Sequence, residues 1–415
     1  MIRRRHVLAG GLTLPFVARA QGKARVVVVG GGFGGATAAR FLHASGPAPE
    51  VTLLEPNDTF VACPFSNEVI AGERNLDAQR FGYAAIRSAG VNVVNQAAAS
   101  VDPAARIVTA LSGAKFPYDR LILSPGIDII WGALPGYDET AATRMPHAWK
   151  AGEQTLLLRR QLEEMPDGGV VVMSVPPNPY RCPPGPYERA SLIAWYLKQH
   201  KPKSKMLILD AKDVFSKQKL FQNAWKQLYP GLLEWVSLSD GGKVVRVDPA
   251  TGTFETEFGS HKADVGTVVP PQRAGAIAAQ AGVADRTGWC PVDPVTFESR
   301  LVPNIHVIGD AAIMGAMPKS AFAANAQAKV CAASVAMLLR GDKPEEPRLI
   351  NTCYSVAAPD YGFSVAGVYR PVNGTLTDIA GAGGTSPLDA PESQRIQEAR
   401  YANQWFQTIT AEVFG

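Results

Sequence analysis

A strand that runs into a cluster of glycines and then a helix is the most restrictive feature of this chain. Arg25-Val26-Val27-Val28-Val29 is β-branched after its first residue, Gly30-Gly31-Gly32-Phe33-Gly34-Gly35 follows, and residues 36–42 have helical character. The spacing is G-x-G-x-x-G at a strand-to-helix turn. Gly30 permits the tight turn, Gly32 lets backbone approach a pyrophosphate, and Gly35 lets helix and strand pack closely. The helix start then offers unpaired N–H groups to phosphate. A second apolar strand over 51–54 ends in Glu55, twenty residues after Gly35, where an acid takes the ribose hydroxyls of an adenosine half. Glycine triplets are common; strand, helix and acid in register point to a bound dinucleotide.

Later segments decide between a nicotinamide and a flavin. Leu121-Ile122-Leu123-Ser124-Pro125-Gly126 is a buried strand ending in a small-Pro-Gly turn, and residues 304–308 form another strand ending in Gly309-Asp310. In that order they resemble the downstream motifs of flavoproteins with two dinucleotide domains. The resemblance implies that Asp310 holds the ribityl chain of FAD. It also implies that the helix opening near Pro318-Lys319-Ser320 aims its positive end at the flavin pyrimidine.

A third apolar strand over 169–175 stands where such proteins start an NAD-binding domain. Its turn is Pro176-Pro177-Asn178-Pro179-Tyr180-Arg181-Cys182-Pro183-Pro184-Gly185-Pro186. Proline has no N–H to give a pyrophosphate and fixes φ, so the phosphate cradle is lost. Asp210, ending the strand over 206–209, is a remnant of the nicotinamide plan. The expectation is one dinucleotide, FAD, and no NAD.

At 415 residues the chain exceeds one ordinary core. Arg3, Arg4 and Arg5, a short apolar stretch over 7–17 and Ala18-Arg19-Ala20 compose an export signal cleaved after Ala20, of twin-arginine type. Its four arginines and no acids account for the formal +4, so the mature chain is neutral. No basic patch suggests nucleic acid, and no long apolar run after residue 20 suggests a membrane span. The expected place is the periplasm, where disulfides persist. Five cysteines remain: Cys63, Cys182, Cys290, Cys331 and Cys353. None lies in a haem-attachment motif or a metal-ligand spacing.

Three segments resemble the flavoprotein subunit of flavocytochrome c sulfide dehydrogenase. They are Ala62-Cys63-Pro64-Phe65-Ser66-Asn67-Glu68, then Arg181-Cys182-Pro183-Pro184-Gly185-Pro186-Tyr187-Glu188-Arg189, and Asn351-Thr352-Cys353-Tyr354-Ser355. The resemblance implies an α/β fold of two Rossmann-like dinucleotide-binding domains, of the FAD/NAD-linked reductase type, plus a small C-terminal α+β domain. The FAD domain would span 21–135 and 265–342, a second domain without an NAD site 136–264, and a flavin-interface domain 343–415. The final helix, over 394–412, carries Tyr401, Trp405 and Phe406 without a broad apolar face; Trp405 reads as core packing, with a place near the flavin as the alternative.

The resemblance also implies roles. Cys63 would carry a thioether to the flavin 8α-methyl; a buried small hydrophobe is the alternative. Cys182 and Cys353 would form a redox disulfide, whose sulfur is an electrophile for HS⁻; a plain interdomain staple is the alternative. Glu188 would handle protons with a raised pKa, or serve as a helix-start acid. Cys290 and Cys331 receive no chemistry. Electrons would leave to a haem-bearing c-type cytochrome. A sulfide:quinone oxidoreductase, and an electron-relay subunit without sulfur chemistry, are the competing readings.

Overall fold

A computed structural model describes residues 22–45 and 48–415. The expected export signal lies outside them. Five parallel strands form the first sheet, in the order Ile305–Val307, Arg120–Leu123, Arg25–Val29, Glu50–Leu54, Asn92–Val94. Val26, Val28, Leu121 and Ile122 are wholly buried because helices cover the sheet, and strands covered on both faces read as unbroken apolar runs. Helix Phe33–Ala44 leaves the glycine turn and packs along helix Ala321–Arg340. The latter has the length and mean hydropathy, 1.3, of a membrane span. Here Cys331 and Val335 of this helix are wholly buried in the core.

A second sheet, also all parallel, runs Leu233–Val236, Lys205–Asp210, Val170–Val175, Val265–Val268. Its last strand lies beyond the boundary expected at residue 264. Val265–Val268 is a fully buried apolar strand, and its pairing partner in the second sheet is Val170–Val175. The chain passes between the two domains on a short antiparallel pair, Ile127–Ile129 with Gln272–Ala274.

The C-terminal sheet is antiparallel, with Leu349–Ala358 and Tyr361–Val372 as its long hairpin. The last helix, Glu392–Phe414, packs on it. This helix does have an apolar face, contrary to the sequence expectation. Ala399, Ala402, Phe406, Ile409 and Val413 are buried at helical spacing. Two of these are alanines, which hid the stripe.

Candidate active site

One cleft, of about 240 Å³, opens where the three domains meet. Its wall includes Gly32, Cys63, Cys182, Glu188, Asp310, Ser320 and Cys353. The structure thus brings together all three cysteines to which the resemblance assigns chemistry.

The dinucleotide end is built from the glycine turn. Gly30 sits at φ +98°, and a Cβ there would lie 2.3 Å from Ser124 O; a Cβ on Gly35 would lie 1.8 Å from Gly30 O. Both positions therefore need glycine for the turn to close. A Cβ on Gly32 would meet only the Phe60 ring, at 3.4 Å. Glycine there leaves the space a ligand backbone would use. Glu55 is spent within the loop: it accepts from Gly31 N at 2.8 Å and from Asn57 N at 3.0 Å. It holds the turn from within the loop.

Asp310 lies at the other wall, just after strand Ile305–Val307. Its Oδ1 is buried with no hydrogen-bond partner, while Oδ2 stands 3.9 Å from Arg181 Nη1. Burial raises its carboxyl, against the lowering charges of Arg181 and Lys319. An orphaned buried acceptor on a cleft wall is suited to a ligand hydroxyl. Ser320 caps helix Ala321–Arg340 by accepting from Ala323 N at 3.0 Å, and it donates to Asn351 Oδ1 at 2.6 Å. Lys319 departs from expectation. Its ammonium turns inward to Asp310 O at 2.7 Å and Ala312 O at 2.8 Å, over the Trp289 ring. Burial lowers its pKa to about 8. Lys319 braces the Gly309-Asp310 turn, and the cleft receives the helix N-terminus without the lysine.

The sulfur end rests on the proline loop. Cys182 has φ +56°, a left-handed conformation rare outside glycine. Its N–H donates to Lys319 O at 2.9 Å and its carbonyl accepts from Gly185 N at 2.8 Å. Gly185 leaves room for the sulfur, since a Cβ there would lie 3.1 Å from Cys182 Sγ. Cys182 faces the open cleft but is enclosed by protein elsewhere, and desolvation pushes its thiol up, reinforced by Cys353 and Glu188. Cys353 reaches the same wall from strand Leu349–Ala358. The five cysteines are thiols in this structure, so the pair is seen unbridged.

Helix Gly185–His200 supplies Glu188 and Arg189. Glu188 accepts from Asn67 Nδ2 at 3.0 Å and from Val356 N at 3.3 Å. Burial still raises its carboxyl. Arg189 is 2% exposed and donates to Asn67 Oδ1, His147 O and Ala148 O. Burial lowers its pKa to about 10. Lys217 donates to Cys353 O at 2.6 Å and Ser355 Oγ at 2.7 Å. Arg181, Arg189, Asn67 and Lys217 carried no role in the sequence reading. The first three lie inside the quoted segments, but nothing in their spacing says that they meet. Trp405 is half-buried against the core and also lies on the cleft wall, stacked on Phe322.

Asp210 makes its contacts within the second domain. Asp210 is wholly buried and accepts from Tyr187 Oη at 2.6 Å, Trp235 Nε1 at 3.0 Å and Lys212 Nζ at 2.5 Å. The Phe215 ring stacks on Tyr187, centroids 3.6 Å apart.

Residues 155–270 match the family described as the sulfide dehydrogenase [flavocytochrome c] flavoprotein chain, central. Residues 345–414 match the flavocytochrome c sulphide dehydrogenase, flavin-binding family. Residues 24–161 match the pyridine nucleotide-disulphide oxidoreductase family. The chain is 60% identical over 48 residues to the sulfide dehydrogenase [flavocytochrome c] flavoprotein chain of Chlorobaculum thiosulfatiphilum, covering 12% of this chain and 100% of that sequence. It is 24% identical to the mitochondrial sulfide:quinone oxidoreductase of Mus musculus, over 77% of this chain and 72% of that protein. Its fold is similar to the sulfide:quinone oxidoreductase structure from Aquifex aeolicus, with TM-score 0.73, 19% identity and coverage of 94% and 92%.

Proposed function

The chain belongs to the flavoprotein chains of flavocytochrome c sulfide dehydrogenase, and from that premise we propose that it oxidises sulfide with FAD, through Cys182 and Cys353, and passes the electrons to a c-type cytochrome. The observation that carries this reading is the single cleft shared by the glycine turn, Asp310, Cys63, Cys182 and Cys353.

The cleft residues fit FAD. Gly32 and the N-terminus of helix Phe33–Ala44 suit the pyrophosphate, Asp310 the ribityl hydroxyls, and the start of helix Ala321–Arg340 the ring. Bound FAD supplies a two-electron acceptor. The protein does the sulfur chemistry. With the cysteine pair oxidised, HS⁻ attacks one sulfur, the S–S bond breaks, and a persulfide and a thiolate result. The cations of Arg181 and Lys217 oppose the desolvation that disfavours a Cys182 thiolate. Glu188, held high by burial and fixed by Asn67, is placed to give or take a proton. The attachment of FAD to Cys63, the signal cleaved after Ala20 and the periplasmic location belong to the same proposal.

A quinone acceptor is the second reading, favoured by likeness to sulfide:quinone oxidoreductases over most of the chain. The last helix supports the soluble acceptor. Its apolar face is used against the protein, leaving polar residues such as Arg400 and Gln404 outward. The deciding experiment mixes sulfide anaerobically with wild type, Cys182→Ser and Cys353→Ser. Wild type should bleach and hand electrons to cytochrome c in preference to a quinone analogue. Neither variant should bleach, though each retains FAD. Bleaching of either variant at the wild-type rate refutes the redox pair.

A further inference from the structure

Three consecutive carbonyls, those of His147, Ala148 and Trp149, are held by two arginines that flank Cys182. Arg189 donates to His147 O at 2.6 Å and Ala148 O at 2.5 Å, and Arg181 donates to Trp149 O. The connector bends to offer them, with Ala148 at φ +45°. The Cys63 sulfur rests against the same Trp149 carbonyl, 3.8 Å away. Arg181 also stands 3.9 Å from Asp310 Oδ2. Burial would lower Arg181's pKa, but Cys63, then Asp310 and Cys182, raise it. Arg181 is therefore the cation between the Cys63 sulfur and the acid at the ribityl position.

We propose that Arg181 is a positioning residue for the covalent step at Cys63: its guanidinium fixes the Trp149 carbonyl and stands beside the sulfur as it bonds to the flavin 8α carbon. This rests on the reading of Cys63 as the attachment site. In the step the S–C bond forms, and the thiol S–H and one 8α C–H bond break. Both hydrogens leave as protons, and the electron pair of the C–H bond stays with the ring, which takes up two protons and is left reduced. Dioxygen then accepts the two electrons and two protons as hydrogen peroxide. A guanidinium beside sulfur stabilises the negative charge that builds as the S–H bond breaks. Its planar fork serves Trp149 O and faces Asp310 together, which an ammonium does less well.

The test is the fraction of flavin that stays with the acid-precipitated full-length chain, followed in time after apoprotein is mixed with FAD. Arg181→Gln should bind FAD but attach it at least about tenfold more slowly at neutral pH, a barrier change of the size one lost charged contact produces. Arg181→Lys keeps the positive charge and should recover part of the rate, which a purely structural defect would not. Arg181→Lys should be slower than wild type and faster than Gln. It carries the test alone if the Gln variant does not fold, and a Lys variant as fast as wild type overturns the inference. Gln attachment at the wild-type rate, or a Lys variant no faster than Gln, overturns it as well. If wild type itself holds no covalent flavin, the attachment reading fails first, and this inference fails with it.

Discussion

The Tyr187 hydroxyl donates to Asp210 Oδ2 over 2.6 Å, and both residues are wholly buried. The acid expected to contact a nicotinamide ribose is thus hydrogen-bonded inside the second domain, which also carries the loop over 176–186 with its six prolines.

NADH should therefore fail to reduce the flavin. One recovered hydrogen bond contributes about 0.5–1.5 kcal/mol, far below the roughly 8 kcal/mol of micromolar binding. Anaerobic mixing with excess NADH should leave the oxidised spectrum unchanged. Rapid bleaching would show that the chain makes a nicotinamide site elsewhere.

Asp310 should govern how tightly the cofactor is held. Its Oδ1 has no partner among the described residues. In a Cys63→Ser background, where FAD can dissociate, Asp310→Ala should weaken binding by about 1.5–3 kcal/mol, roughly ten- to a hundredfold. Equilibrium titration by flavin fluorescence reads this directly, and an unchanged dissociation constant would remove Asp310 from the site.

Glu188 should give the protein a pH-dependent stability. Burial raises its folded pKa above the ordinary 4.5, against the opposing contributions of Asn67, Lys217 and Val356. A raised pKa contributes stability that is complete below the unfolded value and is lost as pH rises through the folded value. Glu188→Gln cannot ionise and lacks that loss. The melting temperature of the variant minus that of wild type should become more positive from pH below 4.5 to neutrality. A flat or falling difference would mean that burial does not raise the Glu188 carboxyl.

Gly35→Ala should damage the fold at its first turn. The new Cβ would lie 1.8 Å from Gly30 O, a backbone atom that cannot step aside. Overpacking of this kind costs about 1–3 kcal/mol or more, and FAD content should drop with the melting temperature. Gly82→Ala, where nothing lies within 4 Å, is the control and should behave as wild type.

The sequence alone determined the dinucleotide turn, because its chemistry is local: a strand, glycines at fixed offsets and a helix start need no distant partner. The proline-filled second turn was equally legible, since proline lacks a backbone donor wherever it stands. The segments around Cys63, Cys182 and Cys353 identified the family, yet 171 residues separate the last two. Only tertiary structure decided that they share one cleft. It also decided that Lys319 turns inward to two carbonyls, that Glu55 braces its own loop, and that strand Val265–Val268 joins the second sheet. Tertiary structure likewise places Arg181 and Arg189 on three carbonyls of one connector. Hydrogen bonds between distant segments follow from how domains close on each other. Buried donors must find acceptors wherever packing leaves them, and no local spacing records which ones they find.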